Sequence, residues 1–104
     1  MYKDTENNKL IFVSLSTVPE GCKIDRAGVI ATSDAKVAAN PDTFSVDSAT
    51  FVRGDATEKN SCRFTWTKSK VNVGDTWYVR AYLVYTDKNG NTHEMLGDIV
   101  SQTM

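Results

Sequence analysis

The chain has one histidine, His93, and two cysteines, Cys22 and Cys62. That inventory argues against most catalytic chemistry. His93 stands just after a turn with no Ser or Cys near it in sequence, so no nucleophile–base pair is signalled. Two cysteines and one distant histidine make no zinc set. Neither a Gly-rich phosphate loop nor an Asp-x-Asp-x-Asp calcium loop is present. Asp47, Asp55, Asp75, Asp87 and Asp98 sit singly in turns or at strand ends, where Asx-turn chemistry accounts for them. No catalytic residue, metal ligand or cofactor is therefore expected. The charge balance is also flat, with a formal net charge of -1, which gives no electrostatic reason to bind nucleic acid or an anionic membrane surface. The longest apolar run is Leu10-Ile11-Phe12-Val13, far short of the roughly 18–20 residues of a membrane-spanning helix. Met1-Tyr2-Lys3-Asp4 has neither a basic n-region nor an apolar h-region, so no signal peptide is expected in this chain. Such a start suits an intact cytosolic protein as well as a module cut from a larger one.

What the sequence does have is period-two patterning. The 104 residues are 40% hydrophobic and 24% charged, an ordinary composition for one globular domain spanning residues 1–104. Residues 9–18 set Ile11, Val13 and Leu15 against Phe12, Ser14 and Ser16, and Pro19-Glu20-Gly21 ends the run. Residues 24–32 alternate Ala27, Val29 and Ala31 with Arg26 and Gly28. Residues 35–39 suit one helical turn, broken by Asn40-Pro41-Asp42. Phe44–Val46 and Phe51-Val52 mark a weaker strand or pair of strands. Residues 61–67 place Phe64 and Trp66 on one face. Residues 77–86 carry the strongest pattern, with Trp77, Val79, Ala81 and Leu83 inward and Tyr78, Arg80 and Tyr82 outward. Asp87-Lys88-Asn89-Gly90-Asn91 reads as a hairpin loop, since Asn-Gly accepts positive φ. Residues 96–102 close the sheet, and Gly97 inside them signals a bulge or a close backbone approach. Six or seven short strands at this spacing specify an all-β, two-sheet antiparallel β-sandwich with Trp66 and Trp77 in its core. Residues 1–8 are open to being a flexible N-terminal segment.

The run Val71-x-x-Gly74-x-Thr76-Trp77-x-Val79-x-Ala81 resembles the E–F corner of fibronectin type III domains. There a tyrosine usually bonds back to the corner; here the aromatic is Trp77, whose only donor is its indole N–H. With Ala27-Gly28-Val29, residues 77–82, Asp87-Lys88-Asn89-Gly90 and Gly97-Asp98, the wider pattern is similar to the fibronectin-like or immunoglobulin-like modules of gut-bacterial surface proteins. The likeness covers roughly residues 9–102. It implies an extracellular or cell-surface setting inside a larger chain, neighbouring domains as partners, and a monomer when isolated. It implies a non-catalytic spacer or structural role, or alternatively adhesion to a glycan or host protein. In that topology Cys22 follows strand B and Cys62 opens strand E at one pole, so either a disulfide or two unpaired thiols fits.

Three features are candidate contact sites. Arg53-Gly54-Asp55 is an integrin-type tripeptide placed on a polar, exposed loop of residues 53–60. A solvated turn using Gly54 is the plainer reading. Tyr78, Arg80 and Tyr82 form an outward stripe that serves either as sheet cladding or as a binding face. Asn89 and Asn91 project from the hairpin loop that would share a binding pole with residues 53–60.

Overall fold

In the computed structural model the chain is a β-sandwich. The structure describes all residues except Thr43, residues 46–49, Gly54 and residues 59–60, and the backbone alone at residues 50–53, 55–58 and Cys62. The elements run β1 (Tyr2–Asp4), β2 (Lys9–Thr17), β3 (Lys23–Thr32), α1 (Ala35–Ala38), β4 (Thr50–Arg53), β5 (Asp55–Glu58), β6 (Ser61–Lys68), β7 (Thr76–Thr86), β8 (Thr92–Leu96) and β9 (Val100–Thr103). One sheet has the order β1-β2-β6-β5; the other has β4-β3-β7-β8, with β9 also on β7. All strand pairings within the two sheets are antiparallel. With β1 a three-residue stub and β8 and β9 two halves of one strand, seven principal strands remain, three against four.

The break between β8 and β9 falls at Gly97, where the sequence signals it. Tyr82 faces Leu96 and Val79 faces Val100, so residues 97–99 span what Arg80 and Ala81 cover on β7, one residue more than the ladder needs. Gly97 N–H donates to Ala81 O at 2.9 Å, and a Cβ at Gly97 would stand 3.3 Å from the Ala81 Cβ. Only glycine lets the two backbones close to this distance without displacing Ala81.

The upper half of the interior is the larger. Leu10 and Trp66 from the first sheet meet Val29, Ala31 and Val79 from the second, with Val71 and Met104 closing the end. Trp66 is 5% exposed, and its ring lies 6.0 Å from that of the half-buried Trp77, tilted by 50°, within the favourable range for an aromatic pair. Trp77 makes no corner hydrogen bond among the described residues; Lys68 Nζ sits 5.2 Å from its ring instead. The lower half is small, with Val18, Ala27 and Leu83 buried and Cys22, Ile24 and Tyr85 packed around them.

Three sequence expectations are corrected. Tyr2–Asp4 are paired strand, not a free segment, with Tyr2 opposite Ile11. Phe44 belongs to no strand; it is a fully buried plug. The expected loop at residues 53–60 is largely strand: Arg53 ends β4 opposite Gly28 in one sheet, and Asp55 opens β5 opposite Arg63 in the other.

Candidate functional site

The stripe on β7 is the natural place to look for a ligand face, because alternation turns Tyr78, Arg80 and Tyr82 away from the sandwich interior. The structure covers it with the protein's own chain. Arg80 is 7% exposed and Tyr82 3%. The connection after β3, from α1 through Phe44, folds back over this outer face, where Ile30, Ala38, Phe44 and Tyr82 form a third buried cluster with Val37, Tyr78, Val84 and Ile99. Asp34 caps the short helix by accepting from Lys36 N–H at 2.9 Å.

Arg80 is the fastener. Its Nε–H donates to Gly97 O at 2.9 Å, and its Nη1 donates to Pro41 O at 2.9 Å and to Phe44 O at 3.2 Å. The guanidinium carbon lies 5.8 Å from the Phe44 ring. A planar fork with several donors can serve carbonyls from two chain segments at once, which a lysine cannot match. Tyr82 faces Gly28 in the ladder, gives its hydroxyl hydrogen to Glu94 Oε2 at 3.0 Å and has Arg26 5.6 Å from its ring centre. The stripe thus lies beneath a segment whose path the strand pattern does not reveal.

The hairpin between β7 and β8 is exposed and ordered by one carboxylate. Asp87 Oδ1 accepts from the N–H groups of Asn89 and Asn91, each at 2.9 Å, and Oδ2 lies 2.8 Å from His93 Nε2. The backbone closes with Asp87 N–H to Asn91 O at 2.8 Å and Gly90 N–H to Asp87 O at 3.0 Å. Gly90 has φ +86°, a conformation glycine adopts at no steric cost. His93 stacks on Tyr85 with centroids 4.9 Å apart, anchoring the loop to the small lower core. The side-chain amides of Asn89 and Asn91 make no hydrogen bond among the described residues, so they stand free on a rigid loop.

The hydrogen bond to His93, followed by that from Asn91 N–H, holds the Asp87 carboxyl below its ordinary pKa. A folded-state pKa below the unfolded one means this stabilisation is complete above the unfolded carboxyl pKa, near 3.9, and is lost as pH falls through the lower folded value. NMR titration is expected to place the Asp87 midpoint below that of an unstructured aspartate. Loss of the Asn89 and Asn91 amide positions should follow it on acidification. An Asp87 midpoint at or above the ordinary value would contradict this geometry.

Cys22 is a free thiol, half-buried at the turn before β3. Cys22 packs at the rim of the lower cluster with Val18 and Tyr85; Cys62 stands in the first sheet opposite Ser16 and Ala56, its side chain outside the described residues. Of the Arg53-Gly54-Asp55 tripeptide, Gly54 and both flanking side chains lie outside the described residues. No group of three or more His, Cys, Asp or Glu side chains converges as a metal set among the described residues. Among the described residues no helix is long and apolar enough to cross a membrane. Comparisons with protein-family models, with curated proteins and with solved structures return no match.

Proposed function

We propose that this chain is a non-catalytic structural module, fibronectin type III-like or immunoglobulin-like, that acts as a spacer in a multidomain bacterial surface or secreted protein. The observation that carries the reading is the role of Arg80. The side chains best suited to make a ligand face are committed to holding Pro41, Phe44 and α1 against the sheet. The strand order supports the family likeness, since β1-β2-β6-β5 and β4-β3-β7-β8 follow the A-B-E-D and C′-C-F-G layout of such modules. Sandwiches of this kind serve many functions, so the fold itself does not choose among them. A spacer is defined by its dimensions rather than its surface. In the longer protein, exchanging residues 1–104 for an unrelated sandwich of the same length should leave surface display and partner engagement unchanged. Loss of either would contradict the reading.

A second reading, adhesion to a glycan or host protein, is favoured by one feature, the free amides of Asn89 and Asn91 on the hairpin fixed by Asp87. A glycan array probed with the wild type and with an Asn89→Ala/Asn91→Ala variant tests it. Binding by the wild type that the double variant loses supports adhesion. Absence of binding by both removes the sugar version.

A further inference from the structure

From Phe12 to Thr17, β2 pairs with β6 on one side only; β1 covers the other side no further than Ile11, and no described residue pairs beyond it. This open edge is also unguarded. It reads Phe12-Val13-Ser14-Leu15-Ser16-Thr17, with no charge, proline or glycine. Apart from the four-residue β9, charged residues stand on the other edge strands: Lys3 and Asp4 on β1, Arg53 on β4, Asp55 and Glu58 on β5, and Glu94 on β8. Charge on an edge strand is the usual protection against pairing with another chain. Leu15 is 68% exposed and Val13 45% exposed, on the outer face of the first sheet. Beside them a groove of about 320 Å³ runs between β2 and β8, lined by Leu15, Met95, Leu96 and Gly97 among others, with no charged side chain in its lining.

We infer that this edge pairs with the same edge of a second copy of this chain, β2 antiparallel to β2 about a two-fold axis. The strand suits itself as partner. Uncharged edges let two copies approach without repulsion, whereas Glu94 would face its own copy across a β8 pairing. In an antiparallel sheet facing residues share a side, so the axis must pass at a residue. An axis at Ser14 would put Thr17 of one copy where Tyr2 already pairs with Ile11 of the other. An axis at Leu15 avoids this, because the residue that then reaches Ile11 is Pro19, past the end of the strand. The register is therefore Leu15 on Leu15, Ser14 on Ser16 and Val13 on Thr17. The overlap, five residues and about 17 Å long, buries on the order of half the roughly 800 Å² per partner of a stable complex. The dimer is accordingly weak, at the low end of the interface size classes, and forms only at high protein concentration.

Sedimentation equilibrium between about 10 µM and 1 mM tests this, with Leu15→Lys as the edge-guarding variant and Val73→Lys as the control, Val73 being 87% exposed elsewhere. The wild type and Val73→Lys should rise from 11.5 kDa toward twice that mass, and Leu15→Lys should stay at 11.5 kDa. Tryptophan and methyl NMR dispersion checks that Leu15→Lys remains folded, and Val13→Lys should repeat its effect. Amide exchange should slow with concentration at residues 13–17 of the wild type. A wild type that stays monomeric to 1 mM overturns the proposal. So does a Leu15→Lys protein that still dimerises, or concentration-dependent protection confined to residues other than 13–17.

Discussion

Trp66→Ala is expected to lower the unfolding free energy by about 3–5 kcal/mol, the range for truncating a buried tryptophan to alanine. Domains of this size have about 5–15 kcal/mol in total, so the variant would be close to unfolding. The size of the effect follows from position. Trp66 is more deeply buried than Phe64, the other aromatic of β6, and shares the core cluster with Val29, Val79 and Met104 while touching Trp77. Truncating it opens a cavity between the sheets that neither can collapse into without moving its ladder. Trp77→Ala is expected to cost less than half as much, because that ring is half-buried beneath Lys68. Urea unfolding followed by far-UV circular dichroism gives both values. Equal costs for the two would contradict the packing described.

Arg80→Met is expected to cost about 3–4 kcal/mol, since hydrogen bonds from a charged group contribute about 1.5–3 kcal/mol each and are not additive. The methionine keeps most of the apolar stem but leaves the carbonyls of Pro41, Phe44 and Gly97 without their donor. Damage should be local as well as global. Amide protection should fall first across residues 33–45 and at Gly97, while β2 and β6 keep theirs, as expected where one segment opens separately from the rest. Arg80→Lys should recover only part of the loss, because an ammonium cannot aim at three carbonyls in the guanidinium plane. Uniform loss of protection through both sheets would mean that Arg80 supports the sandwich as a whole rather than this one connection.

Period-two alternation made the sandwich legible, because one dry interior forces apolar residues onto every second position. Trp77, Val79, Ala81 and Leu83 were readable as inward for that reason, and Gly97 and Asn89-Gly90 carried their backbone requirements openly. What alternation conceals is a second layer. Arg80 and Tyr82 occupy outward positions and were read as surface because nothing local tells where residues 33–45 travel. Two signals pointed to a cover without specifying it. Ile30 is apolar on the outward side of β3, and Phe44 stands alone among turn residues. Edge status was equally hidden: Val13 and Leu15 look like core residues in sequence, yet the inner positions of β2 include Ser14 and Ser16.

The covered face on β7 is tested most directly by following the Arg80 Nε–H by NMR at neutral pH. A guanidinium clamped between Gly97 O and the Phe44 segment should give a distinct, slowly exchanging Nε–H signal with cross-peaks to the Phe44 ring and to Gly97. A rapidly exchanging Arg80 Nε–H with no contact to Phe44 would mean that the stripe of Tyr78, Arg80 and Tyr82 faces water, and would return it to candidacy as a binding surface.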